Sequence, residues 1–169
     1  MDQDKLPRPA MIALTVLRVV IGWHFLYEGV AKLTSSTWSA AGYMKASRGP
    51  LAEFFRWIAS QPQLLDNANL ITMYGLAIVG ALLMLGLFTR LAAAGGIFFI
   101  LLFYLCNPPF IGYFYANPTE GTYLIVNKNL VELCALVVIL LTGTGRFAGL
   151  DAVLHGLVVR LRRPRLATA

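Results

Sequence analysis

From residue 70 to residue 105 the chain carries a single charged side chain, Arg90. A bilayer's hydrocarbon core is about 30 Å thick and takes roughly 20 apolar helical residues to cross, so this stretch reads as two crossings separated by a turn. Residues 70–88 form one span and residues 91–105 the next, with Thr89 and Arg90 as a tight turn between them. So short a connection makes the two helices antiparallel neighbours. Two further apolar runs, residues 11–33 and 127–143, stand on either side. Only 13% of the 169 residues are charged and 58% are hydrophobic, too few charges to cover a water-facing surface. A soluble enzyme, a disordered chain and a disulfide scaffold are thereby excluded. The expected fold is an all-α membrane protein, a bundle of four transmembrane helices over residues 1–146 followed by a tail over residues 147–169.

The segments between the spans are amphipathic. After residues 34–68, read as mainly polar, Asn67 or Asn69 is placed to cap the second span. Within that segment Pro50 sits at the start of a short helix, and Leu51, Phe54, Phe55 and Ile58 recur at helical spacing, as in a helix lying in the membrane interface. Asn107, Pro108 and Pro109 end the third span, because proline lacks an amide donor and disfavours helix before it. In the tail, Leu150, Val153, Leu154, Leu157, Val158 and Leu161 make an apolar stripe beside Arg160, Arg162, Arg163 and Arg165, the pattern of a basic amphipathic helix on an anionic leaflet.

Net charge is +6, from 14 Lys and Arg against 8 Asp and Glu. The cations lie in the flanks of the spans and not on an aromatic-laced surface, so they set orientation and do not point to nucleic acid. Lys5, Arg8, Arg90, Arg146 and the tail arginines share one side, which makes both termini cytoplasmic. Lys45, Arg48, Arg56 and Lys128 are spread over the longer loops opposite. Lys5 and Arg8 resemble the basic flank of a signal peptide, but Arg18 interrupts the apolar run and no small-x-small site follows, so the first span reads as an uncleaved anchor.

That first span also carries the chemistry. Arg18, His24, Glu28 and Lys32 stand among apolar residues, and each ionisable group at membrane depth costs at least a few kcal/mol unless paired or hydrated. His24, Glu28 and Lys32 form an i, i+4, i+8 ladder, and Arg18, Gly22, Phe25 and Gly29 lie on the adjoining stripe, where the glycines admit another helix closely. Two readings stay open: a proton-handling or polar-ligand site at His24 and Glu28, or a structural ladder in which Glu28 is satisfied by His24 or Lys32. Arg18 pairs with Asp151 or with helix-end carbonyls, or else binds ligand. Asn129 and Glu132 share one face at the start of the fourth span; Glu132 either joins Glu28 and Lys32 in a buried cluster of mixed charge or bridges Lys32 as a pin between helices. Tyr104, Tyr113, Tyr115 and Tyr123 suit an interfacial belt or the wall of a planar redox headgroup. Trp23, Trp38 and Trp57 read as anchors or packing residues. Cys106 and Cys134 form no CxxC and no metal-ligand spacing; they read as buried thiols, with their pairing left open. No metal or haem is expected, since no metal or haem motif is present.

Three stretches carry a resemblance to a known family. Arg18, Gly22, Phe25, Gly29, Lys32 and Leu33 resemble the first-helix signature of the DoxX/DoxD membrane proteins; the run Gly80, Ala81, Leu82, Leu83, Met84, Leu85, Gly86, Leu87, Phe88, Thr89 and Arg90 resembles the second; Thr142, Gly143, Thr144, Gly145, Arg146 and Phe147 with Leu150 and Asp151 resemble the third. Thr144 and Ala148 stand where proline and serine are commoner in that family. The resemblance implies a four-helix bundle in a bacterial inner membrane. It also implies a link to thiosulfate:quinone oxidoreductase, whose DoxD-type subunits take part in making tetrathionate. The expectation that follows is a membrane subunit of a quinone-linked oxidoreductase. His24, Glu28 and Glu132 would move protons, Arg18, Lys32, Tyr104, Tyr123 and Asn129 would contact quinone or substrate, and quinone would be a diffusible substrate. Its partners would be the bilayer and, as open options, a second oxidoreductase subunit or a second copy of the chain; the alternative is a non-catalytic scaffold or assembly partner of a redox complex.

Overall fold

The computed structural model describes residues 6–110 and 124–162, and all the regular structure within them is helical. Lys5, Tyr113, Phe114, Tyr115, Tyr123, Arg163 and Arg165 lie outside the described residues. Helix α1 (Arg8–Thr34) is entered through the Pro7 and Pro9 turn, where a missing amide costs nothing because first-turn amides have no helical partner. Two short helices follow, α2 (Ala41–Lys45) and α3 (Ala52–Ser60), then α4 (Pro62–Leu85) and α5 (Thr89–Cys106). Helix α6 (Lys128–Thr142) leads through a 3₁₀ turn, Thr144–Arg146, into α7 (Leu150–Arg162).

Helices α1, α4 and α5 are long and apolar enough to cross a membrane. At 1.5 Å per residue they reach about 40, 36 and 27 Å. Helix α6 is shorter, about 22 Å. It packs along α5 and returns to α1, while α1 packs on α4 and α4 on α5, so the four close a circuit. The core inside it joins Ile21 and Phe25 from α1, Leu76, Val79 and Leu83 from α4, Ala93, Phe99 and Ile100 from α5, and Leu136 and Ile139 from α6. The α1–α4 seam is the most extensive contact of the bundle and a close one. Gly22 abuts the backbone of Met84 and Gly80, so that a Cβ there would lie 2.8 Å from Met84 N, and a Cβ at Gly80 would collide with the backbone of Leu26. The glycines on α1 therefore admit another helix, as their stripe requires.

Three boundaries differ from the sequence reading. Helix α4 begins at Pro62, well before residue 70, with Gln61 as its N-cap. Asn67 and Asn69 are inside it, not capping it; Asn69 Oδ1 accepts a hydrogen bond from Ala40 N at 2.8 Å, fixing the segment before α2. A polar first turn and a half hid the true start, because proline at the first helical position is a stronger start signal than an interior asparagine. The tight turn is Gly86, Leu87 and Phe88, and Thr89 and Arg90 already belong to α5. Gly86 adopts the left-handed conformation at φ 63° and Phe88 does so at φ 47°, which costs a non-glycine residue about 1–3 kcal/mol. Pro50 precedes the N-cap of α3, which is Leu51. Phe55 is buried and Ile58 half-buried, whereas Leu51 and Phe54 stay exposed. The end of α5 is as read, with Asn107 and two prolines stopping it, and the Asn127 side chain caps α6 by accepting from Leu130 N at 3.1 Å.

Candidate functional site

The ionisable residues of α1 divide between two ends of the bundle. Arg18 is 2% exposed, at the end where α4 turns into α5. Its Nη2 donates to the Ala148 carbonyl at 2.7 Å, and its Nη1 to Thr144 Oγ1 at 3.4 Å. Asp151 lies close by, but its carboxylate is used on backbone. Phe88 N donates to Oδ1 at 2.7 Å and Thr89 N to Oδ2 at 3.0 Å. Asp151 thereby caps α5 from a distance in sequence and holds the strained Phe88 turn, an arrangement in which a carboxylate also meets the positive end of the helix dipole. Burial raises the Asp151 carboxyl, but the amides of Thr89 and Phe88 and the charge of Arg18 outweigh it and hold it below its ordinary value. Arg18 is thus engaged with helix-end groups, well apart from the other three.

His24, Glu28 and Lys32 gather with residues of α6 at the other end. His24 donates from Nδ1 to Glu132 Oε1 at 2.7 Å, joining α1 to α6. Lys32 donates to the Glu28 carboxylate and, at 3.2 Å, to the Glu28 carbonyl. The pin between the helices is therefore His24 with Glu132, while Lys32 pairs within its own helix. The Lys32 ammonium also lies 5.6 Å from the Trp38 ring centroid, within cation–π range. Glu132 is 8% exposed, and its Oε2 is buried with no hydrogen-bond partner among the described residues. A carboxylate oxygen left bare in a low-dielectric interior is costly, so it is an acceptor awaiting a donor.

That oxygen belongs to a residue lining a cavity of about 130 Å³, whose wall also includes His24, Glu28, Lys32, Lys128 and Asn129. Two larger spaces adjoin it. One, of about 520 Å³, lies beneath the α2–α3 hairpin and is lined mainly by apolar and aromatic groups, Trp38, Tyr43, Phe55, Phe99 and Phe103 among them. Lys32, Phe103 and Asn129 line both it and the small cavity. The hairpin is held over this chamber by bonds to the end of α5: Tyr43 Oη donates to the Phe103 carbonyl at 2.9 Å and Ser47 Oγ to the Cys106 carbonyl at 2.5 Å. The other space is an open groove of about 440 Å³ between α1 and α6, with His24, Lys128 and Glu132 at its inner wall. An apolar chamber of several hundred Å³ with a few convergent polar groups is the ordinary form of a small-molecule site.

Of the residues singled out in the sequence, His24, Glu28, Lys32, Asn129 and Glu132 come together. Tyr104 lines neither cavity; its hydroxyl donates to the Ile125 carbonyl at 2.8 Å, tying the end of α5 to the approach to α6. Tyr123 lies outside the described residues. Trp38, Tyr43, Phe103 and Lys128 were missed as wall residues. Lys128 stands one turn before Glu132 on α6, the same i, i+4 spacing as the α1 ladder, which was the available signal. Trp38 and Tyr43 gave none, since the hairpin's fold over α5 depends on contacts distant in sequence. Cys106 and Cys134 are both free thiols, Cys106 buried and Cys134 exposed.

A family model described as DoxX matches residues 13–106, more than half of the chain. The chain belongs to the DoxX family. This DoxX protein is a membrane protein with at least three helices able to cross a bilayer. The match spans α1 to α5 and stops before Asn129 and Glu132, so the second half of the ionisable cluster is added by the chain beyond it. No curated protein and no solved structure matches.

Proposed function

We propose that this DoxX protein is an integral subunit of a quinone-linked oxidoreductase in a bacterial inner membrane. The observation that carries the reading is Glu132 Oε2, with no hydrogen-bond partner among the described residues, in a small cavity that shares Lys32, Phe103 and Asn129 with an aromatic chamber. A quinone ring suits the chamber's flat, apolar walls. Its oxygens would approach Lys32 and Asn129 on the wall shared with the small cavity. Reduction of a quinone takes two electrons and two protons. Glu28 and the His24–Glu132 pair supply and replace the protons, and the bare Oε2 accepts from the hydroxyl formed. Electrons come from a donor outside the bilayer core; two thiosulfates joining as tetrathionate release the two that are needed.

In this reading α6 is the fourth span, with Val131, Val137, Val138 and Leu141 exposed as a lipid-facing surface. Helix α3 lies in the outer interface on exposed Leu51, Phe54 and Trp57. Helix α7 lies on the cytoplasmic leaflet by its exposed Leu150, Val153, Leu154, Leu157 and Val158. That same uncovered face of α7 favours the second reading, a scaffold that docks a partner subunit.

The two are separated in lipid nanodiscs by following quinone absorbance on adding thiosulfate, with wild type and Glu28→Gln. The enzyme reading expects reduction by wild type and loss of turnover in a folded variant. Absence of reduction by wild type, with partner recovery reduced by Glu28→Gln, would favour the scaffold.

A further inference from the structure

The hairpin that roofs the chamber carries a second recess on its outer side, a basin of about 970 Å³ formed by residues 45–54 and Arg56. Its charged residues are Lys45, Arg48, Arg56 and Glu53, three cations against one acid. All four are exposed, and no ion pair involves any of them among the described residues. Arg56 uses only its Nε, on the Ala52 carbonyl at 3.2 Å, which leaves its terminal nitrogens available. Leu51 and Phe54 line the same basin. They are 42% and 50% exposed, and Trp57, 53% exposed, stacks on Phe54 with ring centroids 6.3 Å apart. A cationic wall thus meets an aromatic and aliphatic rim. The basin is held in place, since Ser47 bonds the end of α5 and Gly49 packs against the Leu105 carbonyl and Pro108.

From these features we infer that the basin binds the phosphate headgroup of an anionic phospholipid, with Leu51, Phe54 and Trp57 against its glycerol and upper acyl chain. The recess sits at the bundle end where α1 and α5 terminate, the depth at which the headgroups of a bilayer spanned by those helices lie. Cations attract a phosphate, but the apolar rim has no use for a free oxyanion. It does suit an amphiphile, because tryptophan rings settle at the headgroup level. Each basic residue near an anionic lipid surface adds to its attraction for that lipid.

Trp57 is the reporter, in the full chain carrying Trp23→Phe and Trp38→Phe, reconstituted with acyl-brominated phosphatidylglycerol or phosphatidylcholine. The expected result is quenching of Trp57 at a mole fraction of phosphatidylglycerol on the order of tenfold lower than of phosphatidylcholine. Adding Arg48→Gln and Arg56→Gln should remove that preference and leave quenching by phosphatidylcholine unchanged, which also reports an intact fold. Equal quenching by the two lipids before those substitutions would overturn the inference. So would relief of the quenching by glycerol phosphate at concentrations matching the lipid, which would make the basin a site for free phosphate.

Discussion

Glu132 is buried and Asp151 partly exposed, and their surroundings give them opposite uses. Both oxygens of Asp151 take backbone amides, whereas Glu132 has one oxygen on His24 and one with no partner among the described residues. The first is a fixed structural clamp. Asp151→Ala should lower stability by about 1–2 kcal/mol, the cost of losing a helix cap, read by thermal unfolding in detergent. Because the folded-state pKa is depressed, the clamp's full contribution is present above the ordinary aspartate value of about 3.9 and is lost as pH falls through the lower folded value. The difference in stability between wild type and Asp151→Ala should therefore shrink on acidification; a constant difference down to pH ~2 would contradict it. Glu132→Gln keeps the shape and a hydrogen-bonding group for His24 while removing the charge. Quinone turnover should fall on the order of 100-fold or more, as for loss of a proton-transfer group, with unfolding temperature little changed. Of these two acids, Glu132 was visible in the sequence as a charge inside an apolar span. The part Asp151 plays was not, because its amide partners are about sixty residues away and belong to a turn that no periodicity marks.

Helix α1 packs along α4 through glycine, and the chamber depends on a hairpin docked over α5. The first was legible: Gly22 and Gly29 share a stripe with Phe25, and that stripe is buried. What the stripe met was not, since Gly80 reads equally well as part of any apolar run. Gly80→Val forces a side chain against the Leu26 backbone and should destabilise the protein by about 1–3 kcal/mol, the usual cost of overpacking, as measured by denaturant titration in bicelles. The chamber was not legible, because Trp38, Tyr43 and Phe103 come from a loop, α2 and α5, whose meeting rests on hydrogen bonds distant in sequence. Ala68 lines that space, so Ala68→Phe should fill it and abolish quinone binding while leaving His24 and Glu132 joined.

Over the whole molecule, four helices closing a circuit bury Arg18 and Glu132, half-bury His24, Glu28 and Lys32, and leave valine and leucine faces outside. The apolar runs gave the helices themselves, with errors at where α3 and α4 start and at which residues make the turn into α5. If α6 completes the crossings, residues 8 and 146 lie on one side and residue 48 on the other. Cysteines placed singly at those positions, with Cys106 and Cys134 replaced, should react with an impermeant reagent from opposite faces of sealed vesicles. Labelling of residues 8 and 146 from different sides would remove α6 as a span.

The most direct test of the account is whether a quinone occupies the chamber. Trp38 is part of its wall and becomes the sole tryptophan once Trp23 and Trp57 are replaced by phenylalanine. Titrating that protein in nanodiscs with a short-tailed quinone should quench Trp38 to a saturating limit, and the added Ala68→Phe substitution should remove the saturable part. Quenching that rises linearly and identically in both proteins, as from quinone dissolved in the surrounding lipid, would contradict it.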